Sequence, residues 1–154
     1  MYQPKPDAFY KIIASRIRGD CVLHSAQLRW IAFSVGLGQY HVFDSAVESC
    51  SGYMVWAFVA DETVIRLHDH GVFPSYVYEW SEGTTALILD LCYRQSGTRL
   101  TLSLLRTALP RDIDRVAYVR RNQLRLYRRV AERFVRTSLS QFVPERKLVR
   151  ASTA

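Results

Sequence analysis

The chain has 154 residues, of which 49% are hydrophobic, and a formal net charge of +7. That length and apolar content suit one domain with a sizeable core and argue against an intrinsically disordered protein. The longest apolar run, YMVWAFVA, is far too short to cross a bilayer, and MYQPKPD has no charged stretch leading into an apolar one, so neither a membrane span nor a secretory signal is expected.

In chain order, Phe9, Ile12, Ile13 and Ile17 behind Asp7 predict a first helix over residues 7–18, which Gly19 ends. A second helix is predicted from about His24 to Val35, stopping in GLG. QYHVF and GYMVWAFV read as strands, the second apolar on both faces and therefore central, with DSAVESCSG as their connection. DETVIRLHDH is a short polar helix and ALILDLCY a third strand. After RQSG comes the helical pattern TRLTLSLLRTAL, ending at Pro110, and RVAYVR makes a fourth strand. Leu124, Tyr127, Ala131 and Phe134 at 3,4 spacing predict a last helix over Asn122 to Leu139, with most arginines on its other face. Strands alternating with helices imply a single α/β (α+β) domain over residues 1–140, a mixed sheet flanked by helices. Residues 141–154 are expected to be a disordered C-terminal tail.

Charge is unevenly spread. Between Arg115 and Arg150 there are eleven Arg and Lys against two acids, Glu132 and Glu145. Such an edge attracts polyanions or an acidic partner, or else is a solvated face that keeps the protein soluble.

Two ionisable residues stand in unusual places. Asp90 shares a strand face with Ala86, Ile88 and Cys92, so its carboxylate needs a partner. A histidine is a natural one; a helix cap or backbone amides would also serve. His24 follows Asp20, Cys21, Val22 and Leu23 at the first turn of a predicted helix. His68 and His70 flank Asp69, but an i,i+2 pair diverges on a helix, and no metal site is expected. Cys21, Cys50 and Cys92 fit neither a disulfide framework nor a zinc site, and their odd number suits a reducing cytoplasm. RQSGTRL, with Arg94, Gly97 and Arg99, matches half of a pyrophosphate-binding loop and equally an ordinary strand-to-helix turn.

Taken together, CVLH ending in His24, GYMVWAFVADETVIRL with Trp56 and Ala57, and Trp80, Gly83 and Asp90 with six residues between the last two resemble the toxin-activating lysine acyltransferases of RTX pore-forming toxins. Gly97 opening a helix, Pro110 and the strand at Arg115 continue the order over roughly residues 9–121. Cys21 and Val22 replace the family's Ser-Pro, and one extra residue separates Asp90 from Gly97.

The resemblance implies a GNAT-like fold and transfer of a fatty acyl group from acyl carrier protein to internal lysines of a protoxin. It makes His24 the general base and Asp90 the group that orients its ring. It also implies a homodimer, a cytoplasmic location and no tightly bound cofactor. Arg94, Gly97 and Arg99 would meet the donor, and Arg125, Arg128 and Arg129 would dock the acidic carrier. Alternatives are an acyl-CoA-dependent transferase acting on another amine, an acyl-enzyme route through Cys21, and a basic nucleic-acid-binding module. The last is disfavoured because no DNA-reading motif is present.

Overall fold

The computed structural model describes residues 6–19, 22–43, 52–93 and 101–143. Six strands form one mixed sheet in the order β1-β2-β3-β4-β5-β6: Tyr40–Phe43, Gly52–Val59, Thr85–Tyr93, Arg115–Arg120, Gln123–Val130 and Arg133–Thr137. The helices are α1 (Pro6–Arg18), α2 (Ser25–Gly36), α3 (Asp61–His70), α4 (Leu102–Ala108) and the single turn α5 (Leu139–Phe142). The mixed α/β architecture is as the sequence implies. The chain groups into two compact units, one built from residues up to Trp56 and from Leu89 to Pro110, the other from Ala57–Ile88 and from Arg111 onward.

In the first unit, α1 buries Ala8, Ile12, Ser15 and Arg16, a stripe at helical spacing. Ile17, expected to face the core, is 70% exposed. The chain turns from α2 into β1 through Gly38 at φ 73°, a left-handed conformation that suits glycine. The Trp56 amide then donates to the Gln39 carbonyl at 3.1 Å and Ser34 Oγ to the Trp56 carbonyl at 2.9 Å, tying helix to strand. β1 runs antiparallel to β2, from Tyr40 opposite Val55 to Phe43 opposite Gly52. Gly52 is fixed by sterics, because a Cβ there would lie 2.3 Å from the Cys92 carbonyl oxygen.

In the second unit, residues 85–88 of β3 pair in parallel with 115–118 of β4, and both faces of β3 are buried, as a central strand requires. Asp61 at the start of α3 receives the Arg115 guanidinium at 2.9 Å, and the same group donates to Thr84 Oγ1 at 3.0 Å. Trp80 is fully buried, and Gly83 packs so tightly on the end of β2 that a Cβ would sit 2.0 Å from the Val59 carbonyl oxygen. Trp80 and Gly83 therefore belong to the frame of the fold.

The last helix expected from the sequence is instead a pair of strands. β4, β5 and β6 form an antiparallel meander, with Arg115 opposite Arg128 and Arg128 opposite Val135. The first turn holds Arg121 and Asn122 at φ 51° and 59°, the geometry of a two-residue hairpin; Ala131, at φ 54°, lies in the second. Pairing with β4 overrides the helix preference of leucine, arginine and alanine in this segment. Phe142 and Val143, assigned from sequence to a tail, are 2% and 1% exposed.

Candidate functional site

Asp90 lies near the C-terminal end of β3 and is 7% exposed. Tyr53, the second residue of β2, brings its phenol to the same point, and Arg16 reaches in from the last turn of α1. All three belong to the first unit. Arg16 Nη1 donates to Asp90 Oδ1 at 2.8 Å and Oδ2 at 2.6 Å, and to the Tyr53 hydroxyl at 2.8 Å. The Tyr53 hydroxyl in turn donates to Asp90 Oδ2 at 2.5 Å. The buried carboxylate is thus satisfied by one cation and one phenol.

This corrects the sequence expectation: Asp90 has its partner, but that partner is an arginine. His24 is the N-cap of α2 with an extended backbone (φ −81°, ψ 156°), and its ring is exposed. Its amide donates to Gln27 Oε1 at 3.1 Å and its carbonyl accepts from the Leu28 amide at 3.0 Å. Among the described residues the imidazole makes no hydrogen bond to Asp90. What connects the two is Arg16, whose Nη2 donates to the carbonyl of Val22, two residues before His24, at 3.3 Å.

The electrostatics follow from this packing. Burial, reinforced by the Asp90 carboxylate, raises the Tyr53 phenol well above its ordinary value, so it remains a proton donor. Burial works against the charge of Arg16, but its bond to Tyr53 and the field of Asp90 more than offset this and its pKa is raised. The cluster is therefore an arginine–carboxylate pair with a neutral phenol closing one side. Held this way, Asp90 is the anchor point on which Arg16 and Tyr53 meet.

Arg16 and Tyr53 were missed in the sequence. The available signal for Arg16 was its position four residues after Ile12, on the stripe that starts at Ala8. Arg94, Gly97, Arg99 and Cys21 lie outside the described residues. Cys92 is buried and in no disulfide.

No family model, no curated protein and no solved structure matches this chain.

Arg125, Arg128 and Arg129, expected along one helix face, alternate on β5, so Arg128 points away from the other two. Arg129 is engaged: its Nε donates to the Ile113 carbonyl at 2.9 Å and its guanidinium lies 4.6 Å from the centre of the Phe134 ring. Arg120, Arg121, Arg133 and Arg136 carry no ion pair or side-chain hydrogen bond among the described residues, and they make this ribbon strongly cationic. His68 Nδ1 lies 2.8 Å from Asp69 Oδ1. It lines a cavity of about 530 Å³ in the second unit together with Leu67, Phe73, Val119, Gln123 and Arg136. Among the described residues no three His, Cys, Asp or Glu side chains gather as metal ligands, and no helix is long and apolar enough to cross a membrane.

Proposed function

We propose that this chain is a protein-lysine acyltransferase that carries a fatty acyl group from the thioester of acyl carrier protein to internal lysines of an RTX-type protoxin. The observation that carries this reading is the placement of His24: an exposed imidazole on a helix N-cap, in the same compact unit as Asp90. A macromolecular acceptor can reach such a group directly.

The chemistry sets the requirement. A lysine amine with a pKa near 10.4 is protonated at neutral pH, and deprotonating it at pH 7 costs about 4.6 kcal/mol. The ammonium first gives one proton to solvent, and His24 then takes a second from Nζ as the neutral amine attacks the thioester carbonyl. The new bond is C–N, the broken bond is C–S, and His24 returns the proton to the departing phosphopantetheine thiolate. No acyl-enzyme is required, which leaves Cys21 without a covalent role.

Acyl carrier protein is acidic, and the ribbon bearing Arg120, Arg121, Arg125, Arg128, Arg133 and Arg136 is its dock in this reading. The same ribbon favours a second reading, a polyanion-binding module, because Tyr118, Arg125 and Tyr127 share one sheet face with Val116.

Incubation with acyl-carrier-protein thioesters and protoxin, followed by intact-protein mass spectrometry, tests the proposal. Lysine acylation by the wild type and its loss in His24→Ala with the fold retained are expected. Unchanged acylation in that variant refutes the role of His24. Salt-sensitive DNA binding with no thioester consumption refutes the enzyme reading and favours the second.

A further inference from the structure

We infer that Arg16 is the positioning residue through which Asp90 governs His24, an inference that rests on the acyl-transfer reading for its kinetic consequence. The guanidinium is used as a two-ended clamp. Nη1 grips both carboxylate oxygens of Asp90 and the Tyr53 hydroxyl, while Nη2 holds the Val22 carbonyl at 3.3 Å. Val22 itself is 71% exposed, Leu23 is half-buried and His24, Ser25 and Ala26 are exposed, so side-chain packing alone fixes this segment weakly. Its backbone is held at the Val22 carbonyl by Arg16 and at the His24 amide by the Gln27 side chain. The carboxylate therefore acts on the chain that carries the imidazole and leaves the ring free. Tyr53 limits the freedom of Asp90, because its phenol takes the Oδ2 oxygen at 2.5 Å.

A planar fork is what this task needs. Lysine at the same position would still place a charge against Asp90 but would lack the second arm that reaches Val22. Arg16→Lys thus separates the structural from the positioning role.

The test uses the full chain. Amide hydrogen exchange over Leu23–Leu28, the melting temperature, and kcat and KM for acyl transfer are measured in the wild type, Arg16→Lys and Tyr53→Phe. Arg16→Lys is expected to melt within a few degrees of the wild type, to exchange these amides about tenfold faster, and to lose about tenfold in kcat with KM for the acyl donor unchanged. Tyr53→Phe, which keeps both arms of the clamp, is expected to change exchange and kcat less than threefold. Wild-type exchange rates over Leu23–Leu28 in Arg16→Lys overturn the inference whatever the activity. Faster exchange with wild-type kcat overturns its link to catalysis. Absence of acyl transfer by the wild type refutes the acyl-transfer reading instead, and the exchange data still decide whether Arg16 sets this segment.

Discussion

The pairing of Arg16 with Asp90 makes a quantitative demand on stability. The side chains are 6% and 7% exposed and meet at 2.6 Å. With charge centres about 4 Å apart and an effective dielectric near 20, their attraction is about 4 kcal/mol. Much of that offsets the desolvation of two ions, so the pair adds little net stability over an apolar replacement. Breaking it is another matter. Arg16→Met leaves a buried carboxylate with only Tyr53 to meet it, and Asp90→Asn leaves a buried guanidinium; each should cost about 3–5 kcal/mol. At about 2–4 °C per kcal/mol for a chain of this size, each single substitution lowers Tm by about 10 °C. The double variant loses both charges together and should fall short of the summed penalty by about 2–3 kcal/mol. Urea unfolding of the four proteins, monitored by circular dichroism, completes the cycle. Additivity within about 0.5 kcal/mol would show that the two groups do not share one electrostatic unit, and the argument built on them would fail.

Ala131→Gly distinguishes a hairpin turn from the helix expected in sequence. At φ 54° the substitution should stabilise by about 0.5–1 kcal/mol, whereas in a helix interior it would destabilise by about 1 kcal/mol; chemical denaturation reads the sign. Gly83→Ala should destabilise by about 3 kcal/mol or prevent folding, because its Cβ would overlap the Val59 carbonyl; expression and melting temperature check it. Burial opposes the charge of Glu79, but the Tyr76 and Ser75 amides and the Arg66 guanidinium hold its carboxyl below the ordinary 4.5. A depressed carboxylate contributes stability that is fully present above that value and lost as pH falls further. Urea midpoints measured from pH 7 downward should therefore decline less steeply in Glu79→Gln.

Most elements were legible because each carried its own period. β2 and β3 are apolar runs bounded by turn residues, and α3 begins with Asp61 and Glu62 and ends at Gly71 in the left-handed conformation. The β5–β6 hairpin was hidden because its turn, at Ala131 and Glu132, contains neither glycine, proline nor asparagine, and its residues are good helix formers. The alternation of Leu124 and Leu126 with Arg125 and Tyr127 was the competing signal. At the site, burial of Asp90 could be read from its strand neighbours. The identity of its partner could not, because Arg16 is 74 residues away along the chain and histidine met the same electrostatic need. The apolar pattern of α1 counted Ile17, which is 70% exposed, and took no notice of Arg16, which is buried.

The β4–β6 meander also sets an order of assembly. Its tight reversals let neighbouring strands find each other within microseconds, whereas parallel pairing of β3 with β4 must first close the whole stretch from Tyr93 to Arg115. The arginine-bearing ribbon would then stand complete while the central strand is still unpaired, and its like charges would discourage nascent chains from sticking to one another during that interval.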